Sequence, residues 1–348
     1  MLTATLILLP SVLGLMALAQ LLCARSDLRK FPPPGRIVDI PGGQMHVGQA
    51  GAGRPAVVLE AGIAASSLSW SLLEPHLAVF CTTFKYDRAG FGWSWSDYGE
   101  CSLARMTDDL HALLTALAVP RPYILVAHSF GAYIANVYSR RFTSELAGMV
   151  LIDPLTPQEW VVPDSDQRWR LRRGVWFSRA GGVLALFGIV RVCLWLLERG
   201  NREAPRGVLR MFGSTATETV EHILGELAKL PPEVVRVIRA RWSTPKFFWT
   251  MARYIRSLPG SARELEGRPI PAEVPVTVLS GAHQPAIRLE EHAAIASYSH
   301  QGRHVIAAKG AHWIHLDEPE LVASAVGQMA VTNLLQSEPN LNEESRRA

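Results

Sequence analysis

Short apolar runs alternate with amphipathic segments through most of the chain. Residues 56–63, 123–128 and 148–153 each contain a buried-strand pattern followed by small or polar residues. Between residues 106 and 117, apolar side chains recur at helical spacing. Strands that alternate with helices at this density predict a mostly parallel, doubly wound sheet of the α/β class, with functional side chains at the carboxyl ends of its strands.

The amino terminus has a different pattern. Residues 2–24 are almost wholly apolar, and at about 1.5 Å per residue they can cross a hydrocarbon core about 30 Å thick. A cleavable signal peptide is the alternative, since residues 17–19 resemble a cleavage site, but no basic residue precedes the run. We therefore predict a transmembrane anchor over residues 1–24 and a stiff, proline-rich linker over residues 25–36.

Positive charge near this segment lies on one side only. Arg25, Arg29 and Lys30 all follow the apolar run. The positive-inside rule then keeps the globular domain on the cytoplasmic side of the membrane. The predicted location is a membrane, through a single amino-terminal anchor.

A turn between a buried strand and a helix carries the leading candidate for a catalytic residue. Ser129 ends the apolar run 123–128 and precedes a helical pattern. Ala127 and Gly131 are small, as a sharp turn of this kind requires two positions before and after its centre. Such a nucleophile elbow lifts the serine hydroxyl above the sheet, beside the amide of Phe130 and the positive end of the next helix, where an oxyanion can bind.

Three further segments occur in a characteristic order around this turn. Residues 56–67 hold a strand and a small-residue loop, residues 84–94 read F-K-Y-D-R-A-G-F-G-W-S, and residues 309–320 read K-G-A-H-W-I-H-L-D-E-P-E. Together with the serine turn they resemble the α/β-hydrolase superfamily over residues 37–335. The resemblance implies an α/β-hydrolase fold with an inserted helical cap, and a second oxyanion amide from Ile63.

The same resemblance assigns roles to residues in these segments. His312 takes the position of the catalytic histidine, and its neighbour His315 is interpreted as structural. Asp87 and Arg88 are interpreted as residues that fix their loop by hydrogen bonds to backbone amides, without a part in the chemistry.

The acid is where the chain departs from the family pattern. Many relatives carry an aspartate in a G-x-x-D loop after the strand of residues 274–280, but this loop reads G-A-H-Q and ends in Gln284. A neutral amide cannot stabilise the imidazolium that forms during catalysis. Asp153 ends the preceding strand and is therefore the predicted acid; the alternative is that it only caps that strand. Glu273 and Asp317 are the next candidates.

The remaining domain boundaries follow from this frame. Residues 37–159 and 264–335 form the two parts of the core, residues 160–263 form the helical cap, and residues 336–348 form a disordered tail without apolar periodicity. Within the cap, residues 180–190 are apolar but flanked by arginines too close for a membrane span. They predict an amphipathic helix on the membrane surface or over the pocket, and an ordinary buried cap helix remains the alternative.

Composition limits the partners. With 348 residues and 48% hydrophobic content, the chain suits one large sheet domain plus an insertion. A net charge of +4 without lysine-rich runs gives no sign of nucleic-acid binding. The four cysteines lack C-x-x-C spacing and the histidines lack ligand spacing, so neither a metal nor a cofactor is predicted. The sequence does not indicate an oligomeric state.

These observations predict a membrane-anchored serine hydrolase that cleaves a carboxylic ester of a lipid or other small apolar acyl compound. Ser129 is the nucleophile, His312 the base and Asp153 the acid. Epoxide hydrolases and dehalogenases of the superfamily use an aspartate nucleophile, and Ser129 argues against both. A thioesterase, a C–C bond hydrolase and a non-catalytic binding protein on the same fold remain alternatives.

Overall fold

The computed structural model describes residues 2–96, 101–201, 203–210 and 214–337. The strands are β1 (Arg36–Ile40), β2 (Gly43–Ala50), β3 (Ala56–Glu60), β4 (Thr82–Tyr86), β5 (Trp95–Ser96), β6 (Tyr123–His128), β7 (Leu146–Ile152), β8 (Val276–Gly281) and β9 (Arg303–Ala307). The helices are α1 (Leu2–Lys30), α2 (Glu74–Ala78), α3 (Leu103–Ala116), α4 (Gly131–Arg141), α5 (Ser165–Leu186), α6 (Ile189–Glu198), α7 (Glu203–Arg210), α8 (Ser214–Leu227), α9 (Pro232–Trp242), α10 (Pro245–Leu265), α11 (Ala286–Ser297), α12 (Ile314–Asp317) and α13 (Pro319–Ser337).

The nine strands form one sheet in the order β1-β2-β4-β3-β6-β7-β8-β9, with β5 paired to β2. β1 and β2 are antiparallel to their neighbours, and β3, β4 and β6 to β9 run parallel. The predicted α/β-hydrolase fold with a mostly parallel, doubly wound sheet is therefore confirmed. β6 is buried along its whole length because Leu125 packs into one hydrophobic layer, whereas Ile124 and Val126 pack into the other. Burial on both faces explains its continuous apolar sequence.

Helices α5 to α10 form the cap between β7 and β8. Two glycines let α5 and α10 approach closely. An ideal Cβ on Gly181 would lie 2.6 Å from the Phe248 ring, and one on Gly182 would lie 2.9 Å from the Trp249 ring. Any larger side chain at these positions would force the two longest cap helices apart.

α1 is longer than the predicted anchor. It runs without interruption to Lys30, so residues 25–30 of the predicted linker are helical and the extended chain begins at Phe31. An 18-residue window within Leu8–Lys30 has a mean hydropathy of 1.7 and is only 6% buried, so α1 is long and apolar enough to span a membrane. At the other end of the chain, α13 reaches Ser337, and residues 338–348 of the predicted tail lie outside the described ranges.

One face of α1 packs on the cap through polar side chains. The Gln20 amide donates to the carbonyl oxygen of Ser243 at 2.7 Å and accepts from Nε of Arg191 at 2.8 Å. Nη1 of the same arginine donates to Asp27 at 2.6 Å. We call Gln20, Asp27 and Arg191 the anchor clamp. It joins the amino-terminal helix to α6 and to the turn between α9 and α10.

Candidate active site

Ser129 lies in the sharp turn between β6 and α4. Its φ of 53° is in the left-handed region, where a non-glycine residue is strained. Its amide donates to the carbonyl oxygen of Ile152 at 3.0 Å, which ties the turn to the end of β7. An ideal Cβ on Gly131 would lie 2.8 Å from both Cγ and the carbonyl oxygen of Glu60, so only glycine fits there. The turn thus has the geometry of a nucleophile elbow.

Asp153 and His312 meet at the same edge of the sheet. Nδ1 of His312 donates to Oδ2 of Asp153 at 2.6 Å, and the carboxylate is fully buried while the imidazole is 36% exposed. The side-chain amide of Gln284 donates to the same oxygen, also at 2.6 Å. The residue in the family's usual acid position is therefore a hydrogen-bond donor to the carboxylate on the neighbouring strand.

His128 joins the serine turn to His312. Its Nε2 donates to the carbonyl oxygen of His312 at 2.9 Å, and the two ring centroids are 4.8 Å apart. Burial, together with the neighbouring imidazoles of His315 and His312, lowers the pKa of His128 well below 6.5, so the ring is neutral. Within the described residues Ser129 forms no hydrogen bond to His312, a contact that in apo enzymes is often long and tightens when substrate binds.

The loop after β3 lies directly against the serine. An ideal Cβ on Gly62 would lie 3.4 Å from Cβ of Ser129, which places the next residue, Ile63, at the rim of the site. The buried guanidinium of Arg88 donates to the carbonyl oxygens of Ala61 and Gly62 and to the carboxylate of Glu60. Arg88 therefore fixes this loop by donating hydrogen bonds to carbonyl oxygens and to a carboxylate. The prediction that it bonds backbone amides was wrong, because a backbone N–H needs an acceptor and a guanidinium can only donate.

Glu60 and Asp87 complete this buried polar layer. Burial raises the pKa of Glu60 to about 7, against the opposing effect of Arg88. Asp87 accepts hydrogen bonds from the backbone amides of Ser67 at 2.7 Å and Trp93 at 3.0 Å, as predicted, and also contacts a ring nitrogen of His46. Both carboxylates hold loops around the site and lie away from the Asp153 and His312 pair.

His315 lies behind the site without contact to Asp153. Its side chain is fully buried, and neither ring nitrogen has a hydrogen-bond partner among the described residues. The ring packs between Trp70 and His128, with centroid distances of 4.7 Å and 4.6 Å. Burial lowers its pKa to about 3, with a smaller contribution from His312. These contacts support its interpretation as a structural residue.

The neutral state of His315 makes stability depend on pH. The unfolded chain binds this proton near pH 6.5, but the folded chain does not until about pH 3. The free energy of unfolding should therefore fall as pH decreases through this window, by up to about 1.4 kcal/mol per pH unit. Denaturant unfolding in detergent micelles at several pH values would measure this slope. His315→Phe should reduce this slope without abolishing it, because the buried His128 contributes with the same sign. His300→Gln at an exposed position should leave the slope unchanged; equal slopes for both variants would contradict the assignment.

A cavity of about 260 Å³ lies between the site and the cap. Its near end includes Ile63 and Trp313, which follow Gly62 and His312 in the chain. Its walls are almost entirely apolar and come from α5 to α10, including the face of α6 formed by Val190, Cys193, Leu194 and Leu197. The cavity is therefore suited to the apolar part of a small molecule whose polar part lies beside Ser129.

Sequence reasoning missed three contacts of the site. His128 and Glu60 lie in the segments 123–128 and 56–67, but the sequence assigns no role to either residue. A charged residue at the end of the apolar run of β3 is nevertheless a signal for a buried ion pair. Gln284 was noticed only as the absence of an acid. Its contact with Asp153 depends on how the ends of β7 and β8 are placed side by side, which spacing along the chain does not give.

Comparison with known proteins agrees with the fold. The profile of the Alpha/beta hydrolase family matches residues 57–325. The protein YqjL of Bacillus subtilis is 36% identical over 98 residues, which are 28% of this chain and 39% of YqjL, so the match spans about two fifths of that relative.

Solved structures agree at the level of the fold. An esterase from Thermogutta terrifontis is 21% identical with a TM-score of 0.58, over 86% of this chain and 99% of the esterase. An enol-lactonase from Burkholderia xenovorans is 17% identical with a TM-score of 0.55, over 84% of this chain and 99% of the lactonase. Other similar structures are described as candidate epoxide hydrolases and a candidate dehalogenase. Likeness at this identity shows the fold alone.

Proposed function

Because this chain belongs to the alpha/beta hydrolase family, we propose that it is a serine hydrolase that cleaves carboxylic esters and is anchored in a membrane. The observation that carries the proposal is the hydrogen bond of 2.6 Å between His312 and the buried Asp153, at the sheet edge that also holds the strained Ser129. A nucleophile, a base and an acid are the three groups that acyl transfer requires.

In the proposed mechanism, Oγ of Ser129 attacks the ester carbonyl while Nε2 of His312 takes the hydroxyl proton. Asp153 holds the other ring nitrogen and stabilises the imidazolium that forms. The amides of Phe130 and Ile63 bind the oxyanion. The tetrahedral intermediate then expels the alcohol, which takes its proton from His312. Water activated by the same imidazole hydrolyses the acyl-serine and releases the acid.

The cavity supports an apolar acyl group as the specificity element. Each methylene group transferred from water into its walls contributes about 0.8 kcal/mol. Esters with chains long enough to occupy the cavity should therefore react with a higher kcat/KM than acetates. We infer a lipid or another apolar ester as the substrate class.

The amino-terminal helix supports the anchor. An apolar window of 18 residues within Leu8–Lys30 is nearly uncovered by the rest of the chain. Arg25, Arg29 and Lys30 follow its apolar part, and by the positive-inside rule this charge supports a cytoplasmic location of the hydrolase domain.

Fluorophosphonate labelling of membranes washed with alkaline carbonate tests both parts of the proposal. An activated serine should become labelled, and peptide mapping should find the label on Ser129; heat-denatured protein is the control. The labelled protein should stay in the membrane pellet. An unlabelled protein would favour the non-catalytic alternative, and labelled protein in the supernatant would contradict the anchor.

A further inference from the structure

The outer surface of the cap carries a regular row of aromatic, apolar and basic side chains. On α5 the members of this row recur every three or four positions, as one face of a helix does. We call this row, with its continuation on and just after α6, the cap stripe: Trp169, Arg172, Trp176, Arg179, Val183, Leu186, Val192, Trp195 and Arg199. Trp169, Trp176 and Trp195 are 54%, 56% and 47% exposed.

We propose that the cap stripe binds the surface of an anionic lipid bilayer, and that a membrane-resident ester enters the cavity from that side. The proposal rests on the hydrolase function above and names the source of its substrate. Its experiments separate failure of the cap stripe from failure of the chemistry.

The composition of the cap stripe fits a membrane surface. Tryptophan and arginine both combine an apolar body with a polar tip, and both are typical of helices that lie in the headgroup region. The guanidinium of Arg173 lies 4.3 Å from the ring centroid of Trp169, and that of Arg199 lies 3.9 Å from the ring centroid of Trp195. Such pairs can place the ring toward the acyl chains and the charge near anionic headgroups.

α6 is apolar on two opposite faces. Val190, Cys193 and Leu194 line the cavity, whereas Val192 and Trp195 lie outside the cavity wall and are exposed. A helix with apolar side chains on two opposite faces can bury one face in a core and place the other beside lipid. α6 therefore forms a wall one helix thick between the cavity and the surface that we assign to the bilayer.

The anchor clamp fixes where this surface lies relative to α1. An ideal Cβ on Gly188, at the 89° bend between α5 and α6, would lie 3.6 Å from Cβ of Gln20. The part of α1 before Gln20 extends roughly 27 Å beyond that contact, close to the hydrocarbon thickness of about 30 Å. When this part crosses the membrane, the bend, which lies between Leu186 and Val192 of the cap stripe, is at the membrane surface.

Tryptophan fluorescence in nanodiscs tests the placement. The full chain is reconstituted in phosphatidylcholine and phosphatidylglycerol, with and without bromine on the acyl chains. Trp176→Phe and Trp195→Phe should each remove part of the emission that brominated lipid quenches. Val79→Trp is the control: Val79 is 83% exposed beside the amino end of β4, at the sheet edge opposite the site, and its added emission should not be quenched.

Three results of this experiment would overturn the proposal. The first is quenching by brominated lipid that neither phenylalanine variant reduces. The second is quenching of the indole at position 79 as strong as that of the indoles in the cap stripe. The third is emission of the cap indoles that acrylamide in water quenches and brominated lipid does not.

Kinetics test the route of the substrate. Trp195→Glu should lower turnover of an ester embedded in anionic vesicles by about tenfold, because a carboxylate at the membrane surface weakens insertion. Hydrolysis of water-soluble p-nitrophenyl butyrate should stay unchanged, since Trp195 does not line the cavity. Val79→Glu should change neither rate. An equal loss of rate on both esters, or no loss of rate on vesicles, would contradict the proposed route of the substrate. If the unmodified protein hydrolyses neither ester, the proposed function itself is contradicted.

Discussion

Ser129→Ala should lower kcat for an ester by about six orders of magnitude, because the acyl-enzyme cannot form without the hydroxyl. A residual rate above that in water is expected, since the amides of Phe130 and Ile63 still bind the oxyanion. The substitution keeps Cβ and the backbone of the turn, so the melting temperature should change little. Single-turnover assays with protein free of wild-type contamination would measure the effect.

Ser324→Ala is the matched control for this prediction. Ser324 lies on α13, where its hydroxyl accepts a hydrogen bond from Gln328 at 3.2 Å, far from the sheet edge that holds the site. Its activity should equal that of the unmodified protein. If the Ser129 variant keeps more than about one hundredth of the unmodified kcat, the nucleophile is misassigned.

Asp153→Asn should lower kcat by about 10³ to 10⁴. The carboxylate accepts a hydrogen bond from Nδ1 of His312, whereas an asparagine amide can turn its NH₂ group toward the ring and favour the wrong tautomer. Gln284→Ala should cost far less, because it removes only a second donor to the same oxygen. Steady-state kinetics and melting curves for both variants would distinguish a catalytic carboxylate from one that only caps a strand, since loss of a cap lowers stability and not turnover.

A kcat above about a tenth of the unmodified value in Asp153→Asn would remove this residue from the mechanism. Asp317 is then a weak replacement. Its carboxylate accepts a hydrogen bond from the backbone amide of Ala311 at 3.2 Å and forms an ion pair with Lys229. Both carboxylate oxygens therefore already have partners other than His312. Glu273 precedes β8, at the amino ends of the parallel strands, so the structure rules it out as a partner of His312 at their carboxyl ends.

The sequence predicts the fold well because the fold depends on local patterns. The apolar run of β6 is continuous since both of its faces are buried, and the small residues around Ser129 are required by close contacts such as that between Gly131 and Glu60. Both signals lie within a few residues of one another. They allow the strand, the turn and the helix that follows to be predicted in order.

The contacts that complete the site are not local, and the sequence could not give them. Gln20 is a polar residue within the apolar run of residues 2–24, and its partners are Arg191 and Ser243 in the cap. The end of α1 was predicted near residue 24 because apolar character stops there, while packing on the cap continues the helix to Lys30. Long-range packing outweighs local composition at both positions.

The anchor clamp also limits which helices could replace the amino-terminal helix in evolution or engineering. A tether that only holds a domain near a membrane can be replaced by any apolar helix. Here the helix supplies two of the polar partners of Arg191, one amide and one carboxylate, and a foreign helix without them would leave a half-buried guanidinium unpaired. The amino-terminal helix is thus a structural part of the cap. Substitutions at Gln20 or Asp27 are therefore expected to be accompanied by substitutions at Arg191 on α6.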